Sequence, residues 1–308
     1  MHERPQSALF DALRQLGYRV SSPNDRLPAL IHGAGPLSGK CQVSIAESSQ
    51  FASALLLCSQ PGGWQVRVTG ENAEESPYIE MTRQLLKAFP SAGGVFDVEP
   101  DASSGSYFIA ADSFLRWKKP LQRRSLASGR LVFAPDRAVA VVDWPTSGWQ
   151  IDAAFPKYVP LPEEVSRERD LGDSIMTAIM LAPWAEHAVR FTQLGRLRLQ
   201  ECERVAALRS ELTKCGARVL ETDDTLTVYP SLLHGATVET YDDHRMAMCF
   251  SILGLQVPGI KIKNPSCVKK TFPNFYQKLA QPAPSGLGAT VREANSQRNL
   301  GWEELFAG

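Results

Sequence analysis

The sequence has no apolar run long enough to cross a bilayer. Its longest, such as "FASALLLCS", stop far short of the roughly 20 residues a spanning helix needs. It has no excess charge of either sign: Lys plus Arg and Asp plus Glu each number 33 in 308 residues, so no global field favours nucleic acid or an anionic membrane. The opening "MHERPQSALF" lacks the basic-then-apolar order of a secretory signal. Six cysteines (41, 58, 202, 215, 249 and 267) form no C-x-x-C pair and no Cys/His group with zinc spacing. No metal and no cofactor is implied, and reduced thiols in apolar helical patterns fit a cytoplasmic protein. The length suits two domains better than one.

What is present is an alternation of two kinds of helix. One kind is apolar nearly throughout and opens on small polar or charged residues: "SSQFASALLLCS" (48–59), "DASSGSYFIAADSF" (101–114), "DLGDSIMTAIMLAP" (170–183) and "DDHRMAMCFSILGL" (242–255). The other is amphipathic: "RPQSALFDALRQLGYRV" (4–20), "PYIEMTRQLLKAF" (77–89), "ECERVAALRSELTKCGARV" (201–219) and "TFPNFYQKL" (271–279). In the third of these, Val205, Leu208, Leu212 and Cys215 recur at steps of three and four, which marks one buried face. A shorter helix is expected around "GWQIDAAFPKY" (148–158). Strand-like stretches separate the helices: "QVRVTG", "RLVFA", "AVAVVDW", "LTVYP" and "IKIKNP". The opening helix at 4–17 lacks a preceding apolar one, as if the chain began inside a repeat.

The apolar helices share polar N-termini. Gathered at one surface, those ends would form a positively biased anion site. Ser or Asp capping explains each helix taken singly. It does not explain Arg245, a cation at the positive pole of its own helix, beside Asp242, Asp243 and His244. Glu201 and Arg204, three residues apart, are spaced for a surface ion pair. Lys269 and Lys270 stand in a loop before a helix, and Asp173 sits directly ahead of an apolar helix, where most aspartates are caps.

Together, "DDHRMAMCFSILGL", "KKTFPNFYQKL", "SSQFASALLL", "SPYIEMTRQLLKAF", "DASSGSYFIAA" and the leading "ERP" resemble the 5-enolpyruvylshikimate-3-phosphate synthase family (3-phosphoshikimate 1-carboxyvinyltransferase), in order from Met1 to about Leu279. The "DHRMAM" and "KTFP" stretches carry most of the specificity. The resemblance implies an inside-out α/β fold of two domains built from βαβαββ units: a partial upper domain at 1–100 and most of a lower domain at 101–308, with a tail at 281–308. It implies an enolpyruvyl transferase of aromatic amino acid biosynthesis acting on phosphoenolpyruvate and shikimate 3-phosphate. By that resemblance Arg4, Arg204, Arg245 and Lys270, with His244 beside them, bind phosphoenolpyruvate. Ser48, Ser49, Gln50 and Tyr78 contact shikimate 3-phosphate. Asp173 meets the attacking hydroxyl, and Glu201 transfers a proton at the enolpyruvyl methylene.

The chain also departs from the family. The N-terminal segment with its Lys-Ser-x-x-x-Arg and Gly-Asn-Ala-Gly-Thr stretches is not in this sequence, which makes a missing N-terminal segment an expected partner. Gln200 stands where the family has a phosphate-binding Lys, Arg196 where it usually has Asn, and Glu75 where a substrate-contacting Ser is usual. Two alternatives therefore stand beside the enzyme reading. One is a non-catalytic binding or interaction homologue that keeps the cleft. The other is an enolpyruvyl transferase for a UDP-sugar, which "DHRMAM" and "KTFP" argue against.

Overall fold

A computed structural model describes residues 6–33, 35–72, 75–90, 92–117 and 139–307. The chain divides into two compact units: Met1–Val98 with Ser147–Gln150, and Glu99–Thr146 with Ile151–Gly308. The predicted Arg4 and the stretch "RLVFA" lie outside the described residues.

The smaller unit runs α1 (Ser7–Gln15), β1 (Arg19–Ser21), β2 (Leu30–His32), β3 (Gly39–Ser44), α2 (Gln50–Leu57), a short α3 (Ser59–Gly62), β4 (Trp64–Thr69) and α4 (Ser76–Ala88). Strands β3 and β4 pair in parallel from Gly39 opposite Trp64 to Ser44 opposite Thr69, and α2 makes the crossover between them. Strand alternation turns Cys41 and Val43 inward against Ala12, Leu16, Ala52, Leu55 and Ile79. Strands β1 and β2 form an antiparallel pair. Helix α2 departs from the expectation of an all-round buried helix: Ala54, Leu57 and Cys58 are exposed. Its described neighbours cover one face only, through Ala52 and Leu55.

The larger unit opens with α5 (Ala102–Trp117). A βαβαββ run follows: β5 (Glu164–Ser166), α6 (Ile175–Leu181), β6 (Val189–Thr192), α7 (Arg204–Lys214), β7 (Val219–Thr222) and β8 (Thr225–Val228). The sheet order is β5-β6-β8-β7, with β5 and β6 parallel and the other pairs antiparallel. Next come β9 (Thr237–Val238), α8 (His244–Gly254), β10 (Lys261–Ile262) and α9 (Phe275–Ala280), with β9 and β10 parallel. Every residue of α6 is buried, as are eight of α8, in keeping with their apolar sequences. The face of α7 read from spacing holds: Val205, Leu208, Leu212 and Cys215 are all fully buried. After α7, Gly216 at φ +93° takes the left-handed turn that releases the chain toward β7.

Two local expectations need correction. The helix expected at 148–158 is a 3-10 helix at Ile151–Tyr158. The described part of "AVAVVDW", residues 139–144, is not a strand. There the Val139 N–H donates to Asp112 on α5 at 3.0 Å, Asp143 is left-handed, and Pro145 follows. The Trp144 ring packs against Gly105 of α5, where a Cβ would come within 2.7 Å of it. This contact, with the Trp144 Nε1–H bond to Ala153 O at 3.0 Å, seats the 3-10 helix beside α5.

Candidate active site

In the larger unit the N-termini of α5, α6 and α8 meet, and the side chains that link them define the site. Asp101 begins the cluster by accepting the Ser103 N–H at the first turn of α5. Asp243 does the same for α8, accepting the Arg245 N–H at 2.8 Å. The Arg245 guanidinium then leaves its own helix pole. It donates to Ser103 Oγ at 2.5 Å and lies 3.3 Å from Asp173 Oδ2, just ahead of α6. Carboxylates therefore compensate a cation that its own helix would repel.

Asp173 is not the cap of α6. The Ser174 N–H there is taken by Asp152 at 2.7 Å. Asp173 instead faces three guanidinium groups from three elements: Arg167 at 3.0 Å, Arg245 at 3.3 Å and Arg204 at 3.9 Å. Burial alone would raise its pKa; Arg245, Arg167 and Arg204 overcome that and hold it well below the usual carboxylate range. Asp152 moves the other way, upward, through burial and the charge of Asp173.

Arg204 opens α7, whose cap is Glu203 accepting the Ala206 N–H. Its spacing from Glu201 suggested a surface pair, and the structure corrects this: the Arg204 side chain is 1% exposed. Its Nε donates to Asp243 Oδ2 at 2.7 Å and its Nη2 to Asp243 Oδ1 at 3.3 Å, a two-pronged pairing with a fully buried carboxylate. Nη2 also reaches Glu201 Oε2 at 2.8 Å, and Nη1 donates to Gln200 Oε1. Gln200 donates in turn to Asp173 at 3.4 Å. Lys270, half exposed at the end of a 3-10 turn (Pro265–Lys270), pairs with the other Glu201 oxygen. Burial works to raise the Glu201 pKa, but the Lys270 bond and Arg204 lower it to about 2. His244 is buried beside the group, and burial together with Arg245 lowers it to about 4, which leaves a neutral imidazole at pH 7.

Of the residues predicted from sequence, Asp173, Gln200, Glu201, Arg204, His244, Arg245 and Lys270 are thus brought together. Ser48, Ser49, Gln50 and Tyr78 lie in the smaller unit. There Ser48 Oγ accepts the Gln50 N–H at 3.2 Å, while the Ser49 N–H donates to the buried Glu75 carboxylate at 2.6 Å. Glu75 thus places a negative charge on the N-terminus of α2. Arg167 and Asp152 were missed because neither falls in a periodic or motif-like pattern. Asp243 was read only as a cap, although it also holds the buried Arg204 guanidinium.

The arrangement is one of guanidinium and ammonium groups converging on carboxylates at helix N-termini. The family profile described as EPSP synthase (3-phosphoshikimate 1-carboxyvinyltransferase) matches residues 1–92 and 90–279. A 3-phosphoshikimate 1-carboxyvinyltransferase of Pseudomonas syringae pv. syringae is 34% identical across 95% of this chain and 71% of its own length. One from Paraburkholderia phytofirmans is 32% identical across 92% of this chain and 73% of its own length. In fold, the chain is similar to EPSP synthase from Acinetobacter baumannii, with a TM-score of 0.59 at 17% identity over 91% of this chain and 70% of that one. It is also similar to the enolpyruvyl transferase NikO from Streptomyces tendae, with a TM-score of 0.52 at 15% identity over 87% of this chain and 69% of that one. The chain belongs to the EPSP synthase family, enolpyruvyl transferases of the shikimate pathway that use phosphoenolpyruvate and shikimate 3-phosphate. Among the described residues, no helix is long and apolar enough to cross a membrane.

Proposed function

We propose that this chain holds phosphoenolpyruvate through Arg204, Arg245 and Lys270, with His244 beside them, and uses Asp173 and Glu201 in carboxyvinyl transfer to shikimate 3-phosphate. The observation that carries this reading is Asp173 facing Arg167, Arg204 and Arg245 where three helix N-termini meet. In the reaction the phosphoenolpyruvate methylene takes a proton, and the 5-hydroxyl adds to the carbon bearing the phosphate as it loses its own proton. The adduct then gives up a methyl proton, and the C–O bond to phosphate breaks. One enolpyruvyl ether and one phosphate result.

The charge pattern suits a base whose strength depends on substrate. Asp173 and Glu201 are held ionised by the same cations that would grip the anionic groups. An anion drawing Arg245, Arg204 or Lys270 toward itself weakens that hold and raises the proton affinity of both carboxylates. Ser48, Ser49, Gln50, Tyr78 and Gln200 are assigned to shikimate 3-phosphate, and Arg4 to phosphoenolpyruvate. The upper and lower domains are drawn at 1–100 and 101–308, and a cytoplasmic location goes with highly charged metabolite substrates.

Phosphorus NMR of the chain with both substrates and an added family N-terminal segment should show inorganic phosphate growing as phosphoenolpyruvate falls, matched by the enolpyruvyl ether in mass spectrometry, with little or no growth when the segment is left out. Glu201→Gln should lower turnover by about a hundredfold or more with little change in KM, whereas Lys270→Ala should raise KM. A loss below threefold in Glu201→Gln would remove that residue from the mechanism.

Glu75 favours a second reading, a homologue that binds without turnover. Its carboxylate on the Ser49 N–H competes with any phosphate brought to Ser48, Ser49 and Gln50. Binding of shikimate 3-phosphate that improves in Glu75→Ser, with no turnover in either form, would support that reading.

A further inference from the structure

Glu211 is a fully buried carboxylate with no part in the reaction as described. It lies on α7 seven residues after Arg204, two helical turns on, and so on the same face. Its oxygens accept four hydrogen bonds. Two come from Lys214 on its own helix, at 2.7 and 2.9 Å. The other two come from the segment that leads into α8: the Tyr241 hydroxyl at 2.7 Å and the Glu239 N–H at 3.1 Å.

That segment has an unusual backbone. Tyr241 and Asp242 are consecutive non-glycine residues in the left-handed region, at φ 54° and 58°. Such a pair persists only where its surroundings fix it. Asn264 donates to Asp242 at 2.6 Å, and the Asp243 N–H closes onto Thr240 O at 2.9 Å. The next side chain is Asp243 itself, which holds the Arg204 guanidinium and caps α8 below Arg245. Two turns of α7 thus act on one loop: Glu211 grips its start, and Arg204 meets its end.

We propose that Glu211 is a positioning residue for the anion site, which fixes residues 239–241 through Tyr241 and the Glu239 N–H and so sets Asp243 where it aims Arg204. This inference rests on the proposed anion-binding role of Arg204. The four bonds to Glu211 divide in a useful way. Those from Lys214 stay within α7, whereas those from Tyr241 and Glu239 reach the loop.

The test compares Tyr241→Phe with Lys214→Met in the full chain. Each removes donors to the same carboxylate, and neither residue belongs to the binding cluster. Two readouts are taken: calorimetric affinity for phosphoenolpyruvate, with inorganic phosphate as a second probe, and the nitrogen-15 resonance of the Arg204 Nε–H. Tyr241→Phe should weaken binding by about fivefold, as for part of one charge-assisted hydrogen bond, and shift the Arg204 signal. Lys214→Met should lower the melting temperature yet leave affinity and the Arg204 signal unchanged. The proposal is overturned if Tyr241→Phe moves neither readout, or if both variants move them in proportion to lost stability. Failure of the unmodified chain to bind either probe would count against the proposed function instead. The Arg204 resonance would still decide the role of Glu211.

Discussion

Asp243→Asn should cost the larger unit about 3 kcal/mol. Asp243 is fully buried and receives two hydrogen bonds from Arg204, which is itself almost wholly buried. Breaking a buried pair by removing one charge costs about 3–5 kcal/mol, because the remaining charge is left without its counter-ion. Two features place this case at the lower end. Asn keeps an oxygen that can accept the Arg245 N–H, so the cap of α8 survives, and Glu201 remains 2.8 Å from Arg204. Asp243→Ala, which also loses the cap, should cost about 1 kcal/mol more. For a body of 150–250 residues each kcal/mol moves the melting temperature by about 2–4 °C, so Asp243→Asn should melt about 6–12 °C lower. Differential scanning calorimetry at pH 7 measures this directly. A shift under about 2 °C would show that Glu201 and Asp173 suffice for Arg204, and the role given to Asp243 in holding it would be wrong.

Two further predictions concern pH. His244 is lowered to about 4 by burial and Arg245, so an unfolded chain takes up this proton near pH 6.5 while the folded one resists until about 4. Its contribution should therefore reduce stability as pH falls from about 6.5 to 4. NMR of its Cε1–H should give a midpoint near 4, and one above 6 would refute the burial argument. Glu201 is lowered from 4.5 to about 2 against burial, by Lys270 and Arg204. Its stabilisation is complete above about pH 4.5 and is lost as pH falls toward 2. The stability gap between the wild type and Glu201→Gln, measured by urea titration, should narrow across that window. A gap that stays constant with pH would mean the carboxylate is not held by those cations.

Much of this site was legible in the sequence because its parts are local. The continuous apolar runs of α6 and α8 could only be buried, and polar residues opening such helices mark where their ends must meet something charged. Helix α2 and strand β4 were expected from "SSQFASALLLCS" and "QVRVTG", whereas β3, which pairs with β4, was not among the strand-like stretches. Long-range features were not legible. Nothing in the spacing of Glu201 and Arg204 tells that Arg204 is buried, since its counter-ion Asp243 lies 39 positions away. Arg167 and Asp152 reach the site from segments without periodicity, so no pattern singles them out. The residues at 139–144 have strand-like composition, but Asp112, Gly105 and the left-handed Asp143 hold them as a loop. In α2, composition foretold burial on every side, whereas its described neighbours cover only the face of Ala52 and Leu55.

If the cations meeting Asp173 form an anion site, calorimetric titration with phosphoenolpyruvate reads it out. The Arg245 side chain reaches from α8 to both α5 and α6. Removing it takes away about 1.5–3 kcal/mol of charge-assisted bonding to a bound anion. The wild type should bind, and Arg245→Ala, shown to be folded by circular dichroism, should bind roughly ten- to a hundredfold more weakly. Equal affinities in two folded proteins would mean that Arg245 does not hold the anion.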